Sequence, residues 1–271
     1  MSTDTATADA DTTAYEELLS RYERISSLQS AQGVLSWDQQ VTMPERGTPA
    51  RSKELSTLSS LEHELLTDNE TADLLDAAEA AALDDEQAAV VREIRRDYER
   101  ADAVPQSLVE EISETSTEAL GAWEEAKADD DFETFAPYLE ELVELRREEA
   151  AAIDDDRDPY AVLFEEYEPC LSLDRAERIL DRLKETLVPM IDEIADSGAA
   201  ITTDAFDGTY DTDAQEALSR EVLTTLGYDW DRGRLDTSSH PFTAGNQHDC
   251  RVTTRFDESD PLGGLTATVH E

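Results

Sequence analysis

The chain has 271 residues, enough for one large helical domain or two small ones with a buried core. Its 66 acidic and 22 basic residues give a formal net charge of -44, which excludes nucleic acid as a partner and is typical of a salt-adapted surface. Hydrophobic residues make up 39% of the chain and recur with helical periodicity, which argues against an acidic disordered chain. We therefore expect a folded, halophilic protein from a high-salt cytoplasm, where counterions screen its self-repulsion.

Residues 1–12, the lengths of the apolar runs and the two cysteines indicate the cellular compartment of the protein. Residues 1–12 contain neither a basic region nor an apolar run, so they predict a short disordered acidic tail rather than a targeting segment. No stretch approaches the roughly 18 apolar residues of a membrane span. Cys170 and Cys250 lie far apart without a C-x-x-C spacing, so no structural disulfide is implied. The sequence predicts a cytoplasmic protein that does not bind membranes.

Apolar periodicity predicts a helical domain over residues 13–227. A capping box of Thr13 and Glu16 begins the first helix, which should end near Gly33 before a loop over 37–49. The pattern predicts further helices over 50–66, 72–82, 86–103, 106–128, 132–153, 173–197 and 213–226. The helix over 173–197 carries an apolar face along its whole length.

The composition changes over residues 228–256, which contain four acids and four arginines inside a strongly acidic chain. Residues 251–256 include β-branched residues in an alternating pattern that is typical of a strand. Three of the four histidines lie in the last 32 residues. We therefore expect residues 228–271 to hold a small β element and the chemistry.

A last helix should begin at Asp260, whose carboxylate can cap it, and it carries His270-Glu271. In metallopeptidases the pattern H-E-x-x-H places two imidazoles on one helical face to bind zinc, beside a glutamate base. The dipeptide alone is a weak signal. His63-Glu64 is also His-Glu, yet Thr67 stands where the second ligand would be needed.

Four further segments accompany the terminal dipeptide. They are residues 36–47 with Arg51 (W-D, then V-T-M-P, G and R), residues 158–169 (D-P-Y to Y-E-P), His240-Pro241-Phe242 (H-P-F), and Asp249 to Thr253 (D-x-R-x-T). In this order they resemble the carboxypeptidase Taq family of metallocarboxypeptidases over about residues 15–271. The chain departs from the family in lacking the second histidine ligand, four positions after His270, and the later glutamate ligand.

The resemblance implies a mainly α, multi-helix, zincin-like metallopeptidase scaffold with a small β element before the active-site helix. It implies a metal-dependent carboxypeptidase that removes C-terminal amino acids from peptides, with one zinc or cobalt ion and a homodimer in the full-length form. The chain would be the N-terminal portion of such an enzyme, inactive alone because one imidazole cannot hold the ion. We would then expect a large exposed apolar surface, against which the missing C-terminal half or a complementing polypeptide would pack.

The resemblance also assigns roles to residues. His270 would be the first metal ligand and Glu271 the general base. His240 and Arg251 are candidates for substrate binding, because arginine recognises a free carboxylate with a bidentate fork. Asp249 is a further substrate-binding candidate, but it and Arg251 could equally pair with each other.

The remaining candidates are more peripheral. Thr253 and Arg255 complete the predicted substrate-binding set, whereas His248 is interpreted as a solvated loop residue. Trp37 is interpreted as a core residue rather than a platform for ligand stacking.

A second interpretation is a non-catalytic acidic helical protein, an interaction or scaffold module whose terminal His-Glu is accidental. It predicts a self-contained core, whereas the enzyme interpretation predicts an apolar face left open.

Overall fold

A computed structural model of the chain describes residues 4–44, 46–198 and 206–271, with side chains from residue 13 onward. Over these residues the fold is mainly helical with one three-stranded sheet, as predicted. The helices are α1 (Asp4–Val41), α2 (Thr48–Thr67), α3 (Asn69–Glu79), α4 (Asp85–Ala103), α5 (Gln106–Asp129), α6 (Phe132–Ile153), α7 (Pro159–Tyr167), α8 (Leu173–Asp196), α9 (Thr212–Leu226) and α10 (Pro261–His270). The strands are β1 (Gly233–Thr237), β2 (Thr243–Asn246) and β3 (Asp249–Thr254).

Helix α1 is longer than predicted at both ends. Its backbone is helical from Asp4, where the sequence predicted a disordered tail; residues 1–3 of that tail lie outside the described residues. The sequence there has alanine, the residue of highest helix propensity, at Ala6, Ala8 and Ala10. The predicted end at Gly33 is wrong, since α1 continues to Val41. The cost of a helical glycine, about 1 kcal/mol, is offset by burial of the following turn, where Trp37 is 4% exposed.

The other predicted helices are confirmed with small shifts at their ends. Helix α4 begins with a capping box in which Asp84 accepts from the amide of Gln87 at 2.9 Å while the Gln87 side chain accepts from the amide of Asp84 at 3.0 Å. Helix α7 was not predicted. Its signal is nevertheless local, since Asp158 caps it and Pro159 occupies its first position.

Two apolar clusters hold the helical region together. The first joins α1, α3 and α4 through buried residues: Leu18, Leu75, Ala78, Val91 and Ile94. The second joins the start of α5 to α6 through Val104, Leu108, Ile112 and Leu145. Burial of such side chains stabilises a fold by about 1.5–3 kcal/mol each, so these contacts account for the association of the helices.

His63 belongs to this scaffold rather than to a metal site. Its Nε2 lies 3.0 Å from the carbonyl oxygen of Ala101 and 2.9 Å from that of Val104. Two acceptors at one ring nitrogen require that nitrogen to carry the proton. The imidazole therefore caps the end of α4 from α2.

Helix α8 leaves its apolar face open. Ala176 near its start is buried against the fold, but the large apolar side chains that follow are 42–63% exposed. They are Ile179, Leu180, Leu183, Leu187, Val188, Met190, Ile191 and Ile194. The exposed apolar surface expected of the enzyme interpretation is thus present, and the self-contained core expected of the scaffold interpretation is not.

The sheet has the order β1-β3-β2, with β1 parallel and β2 antiparallel to the central strand. The predicted strand is confirmed as β3, which begins at Asp249. Leu235 pairs with Val252 across β1 and β3, and both pack on Leu223 of α9. This small core fixes the sheet that supports α10. Within the described residues, every helix is either too short or too polar to traverse a bilayer.

Candidate active site

A cleft of about 540 Å³ lies between the end of α10 and the turn that precedes β2. The turn contributes His240 and Pro241. Helix α10 contributes the rest of the lining: Gly263, Thr266, Ala267, His270 and Glu271. Both histidines predicted for the site and the predicted base therefore line the same cleft.

Local hydrogen bonds set the position of α10. As predicted, Asp260 caps the helix by accepting from the amide of Gly263 at 2.9 Å. At mid-helix the Thr254 hydroxyl from β3 donates to the carbonyl of Gly264 at 3.0 Å, and Thr268 donates to the same oxygen at 2.8 Å. Both threonines are buried, so the helix is attached to the sheet by a polar contact shielded from water.

Gly264 allows α10 to approach β3 closely. A Cβ atom at this position would lie 2.9 Å from Cδ1 of Phe256 and 3.0 Å from the carbonyl oxygen of Arg255. Any side chain there would therefore require the helix or the strand end to move.

Glu271 is held by Thr243, which was not among the predicted site residues. The hydroxyl of Thr243 on β2 donates to the Glu271 carbonyl oxygen at 2.7 Å and lies 3.2 Å from Oε2 of its carboxylate. Glu271 is half-buried, whereas His270 is exposed. The contact joins β2 to the end of α10, which keeps the carboxylate at the edge of the cleft.

Thr253 supports the His240 turn from below. Its hydroxyl donates to the Phe242 carbonyl at 3.0 Å and lies 2.9 Å from the Phe242 amide, which donates to it. The Ser238 hydroxyl bridges the Thr253 hydroxyl at 2.8 Å and the His240 carbonyl at 2.6 Å. Because Thr253 is fully buried, its place does not fit the predicted direct contact with substrate. Its hydrogen bonds instead give it a positioning role for the exposed His240.

Arg251 and Asp249 form the ion pair that the sequence left as an alternative. Nε and Nη2 of Arg251 donate to the Asp249 carboxylate at 2.8–3.2 Å. This hydrogen bonding holds the pKa of Asp249 below its ordinary value. Neither residue is among those lining the cleft. Arg255 is exposed just beyond β3, and His248 is exposed in the turn between β2 and β3, as expected of a loop residue.

Trp37 brings the N-terminal motif into contact with Arg251. Two guanidinium groups lie over its indole, with Arg251 Cζ 4.4 Å and Arg234 Cζ 4.6 Å from the ring centroid. The burial expected of Trp37 is confirmed, but its contacts with the two arginines were not predicted. Next to it, Asp38 accepts from Arg51 at 2.6 Å, and this hydrogen bond is the main cause of a lowered pKa of Asp38. Two segments that are distant in sequence thus form one cluster.

The described residues do not form a complete metal centre. Among them, no group of three or more histidine, cysteine, aspartate or glutamate side chains could hold a metal ion. A zinc site requires at least three protein ligands, and α10 offers one imidazole, that of His270. The structure therefore supports His270 as one ligand at most.

The match to a family model follows the same segments. Residues 17–271 match the model described as Carboxypeptidase Taq (M32) metallopeptidase. The chain belongs to this family. It is 34% identical over 260 residues to Thermostable carboxypeptidase 1 of Pyrococcus furiosus, covering 94% of this chain and 52% of that protein. It is also 34% identical to Thermostable carboxypeptidase 1 of Thermus thermophilus, covering 95% of this chain and 53% of the relative.

Solved structures share the fold as well. The crystal structure of BsuCP superposes with a TM-score of 0.89 at 30% identity, covering 96% of this chain and 53% of that chain. The chain thus spans about half the length of the M32 relatives that it matches. The arrangement of α1–α10 and the sheet is that of the N-terminal portion of these proteins.

Proposed function

We propose that this chain supplies the N-terminal portion of a metal-dependent carboxypeptidase that hydrolyses C-terminal amino acids from peptides. The observation that carries the proposal is the shared cleft of His240, His270 and Glu271 in a chain of the M32 family. An imidazole and a carboxylate beside one cleft are the groups that hydrolytic metal chemistry needs. The open apolar face of α8 disfavours the alternative of a self-contained scaffold protein.

We assign His270 as one ligand of a divalent ion, zinc or cobalt, which when bound would polarise the scissile carbonyl. The other ligands must come from outside the described residues, because these contain no further cluster. We assign Glu271 as the general base, since Thr243 holds its carboxylate at the cleft and a carboxylate oxygen can accept a proton there. On its own the chain is therefore inactive.

Substrate recognition is assigned to the turn and the sheet. His240 lines the cleft and can donate to or accept from a bound peptide. We propose that Arg251 receives the peptide carboxylate, with Asp249 fixing the guanidinium through its hydrogen bonds and Trp37 fixing it by stacking. We propose that Arg255, which is exposed just after β3, adds positive charge for substrate binding.

Zinc titration of the purified chain tests the proposal. Calorimetry should show no stoichiometric submicromolar site in this chain alone, and no C-terminal amino acid should be released from a peptide in the presence of zinc. The variant His270→Ala should behave identically, because a single imidazole holds the ion too weakly to measure. Tight stoichiometric binding by the unmodified chain, lost in His270→Ala, would show that the site is complete and that the inactivity assigned here is wrong.

We further propose that the protein works in a high-salt cytoplasm, which the net charge of -44 supports. We also propose that the full-length form is a homodimer, which the family resemblance supports. Repulsion among carboxylates opposes the compact state unless counterions screen it. The helical circular dichroism signal should therefore fall as the chain is moved from molar salt to dilute buffer. An unchanged signal would contradict the salt adaptation.

A further inference from the structure

The apolar face of α8 is unusually wide for a surface helix. Successive residues of an α-helix are rotated by about 100°, so the exposed apolar side chains from Ile179 to Val188 cover an arc of about 180°. Charged residues occupy the opposite side, including Asp181, Glu185 and Asp192. The helix is therefore built for burial on one entire side.

The width of this face argues against a simple pairing with a second copy of α8. A two-helix seam uses a narrow stripe of two positions in every seven residues, whereas helices in a multi-helix core bury a wider one. Pairing through Leu180, Leu183 and Leu187 would leave the flanking Ile179 and Val188 in water. The face matches the interior of a larger helical body better than it matches a dimer seam.

Local charge permits such a partner to approach. Between Leu173 and Glu185, α8 contains four acids and four bases, although the chain as a whole carries a net charge of -44. Lys184 accounts for one of these bases and by helical geometry lies between Leu180 and Val188, within the apolar arc. A partner with a net negative charge would meet less repulsion at this balanced segment than over the chain on average.

We infer that the apolar face of α8 is the docking surface for the polypeptide that corresponds to the other half of the M32 relatives. The relatives are about twice the length of this chain, and the cleft at α10 needs ligands that the described residues do not supply. The inference rests on the proposed function and extends it, because it names the surface on which the completing half is anchored. The partner that covers this face is that half, whether it is continuous with this chain or a separate polypeptide.

Cysteine labelling tests the inference. In a background of Cys170→Ser and Cys250→Ser, we would place a cysteine on the apolar face with Leu187→Cys or on the charged face with Glu185→Cys. Both positions are exposed and should react quickly with a maleimide in the isolated chain at any protein concentration. Each variant is then co-expressed with the remaining half of Thermostable carboxypeptidase 1 from Pyrococcus furiosus. In that complex Leu187→Cys should react at least about tenfold more slowly, while Glu185→Cys should change little.

Three outcomes overturn the inference. They are the absence of a complex, a complex in which Leu187→Cys still reacts at its free rate, and concentration-dependent protection in the isolated chain together with a dimer mass, which would assign the face to a second copy. Zinc binding and peptidase activity of the complex are measured separately. A protected complex without activity would retain the docking surface and reject the proposed function, and an active complex with Leu187→Cys unprotected would do the reverse.

Discussion

Helices α4 and α8 are both amphipathic, yet within the part of the chain that the structure describes only α4 has a partner for its apolar side. Val91 and Ile94 of α4 are 2% and 3% exposed because α1 and α3 cover them. Leu187 and Ile191 of α8 are 42% and 59% exposed. Hydrophobic periodicity thus predicts that a face is built for burial but does not identify what buries it. The partner of α4 is in this chain, and we assign that of α8 to the polypeptide that corresponds to the other half of the M32 relatives.

Truncation of one side chain on each helix should give the largest contrast. Ile94→Ala should lower the free energy of unfolding by about 2–5 kcal/mol, because it leaves a cavity in a packed cluster. Leu187→Ala should change it by no more than about 0.5 kcal/mol, because water already surrounds the side chain. Chemical denaturation in molar salt measures both.

The control for this contrast is protein concentration. Equal losses in the two variants, or a loss in Leu187→Ala that grows at higher concentration, would mean that α8 is already covered in the isolated chain.

A comparison of a buried with an exposed threonine hydroxyl should give a smaller difference in stability. Thr253→Val removes a buried hydroxyl and leaves the Phe242 amide without its acceptor, which should cost about 1–3 kcal/mol. Thr186→Val removes an exposed hydroxyl on α8 that donates to the Arg182 carbonyl at 2.9 Å, and water can replace it at little cost. Thermal unfolding of the two variants under identical salt conditions tests the difference. Similar melting temperatures would argue against the positioning role of Thr253.

The ion pair of β3 should give the smallest effect, with a defined dependence on pH. The hydrogen bond from Arg251 lowers the pKa of Asp249, so the stability that the carboxylate contributes is present above its unfolded pKa of about 3.9 and is lost as the pH falls through the lower folded value. Asp249→Asn should therefore cost less than about 1 kcal/mol at neutral pH, since the pair is partly exposed to solvent. The difference from the unmodified chain should vanish in acid.

Asp192→Asn on α8 is the matched control for Asp249→Asn. It removes the same charge from the chain without removing the pair on β3, so it isolates the general relief of repulsion. If the two variants had the same pH profile of stability, the Asp249 effect could not be attributed to Arg251.

Most helices could be predicted from sequence because their signals are local. Asp131 caps α6 and Asp211 caps α9, and apolar residues recur between the caps and the ends. The end of α1 could not be predicted from Gly33, because the packing of Trp37 overrides a local helix-breaking preference. Strands β1 and β2 were not identified separately, since they have only five and four residues and little alternation.

The candidate site divides in the same way. His240, His270 and Glu271 lie in recognisable motifs, and the structure places them around one cleft. The contact of Thr243 with Glu271 and that of Trp37 with Arg251 join residues whose proximity depends on the fold. Such contacts leave no local pattern in the sequence. For this reason Thr253 was predicted to bind substrate, and Thr243 was not predicted as a site residue.

The missing side chain at Gly264 has a consequence for the chemistry six residues further along the helix. Helix α10 is attached to β3 at this point, so the distance between the helix and the sheet determines where His270 lies at the end of the helix. Gly264→Ala would increase that distance and so move the His270 imidazole away from the other ligands of a completed metal centre. Gly264 therefore sets the distance between α10 and β3, and with it the position of His270, which we propose as a metal ligand.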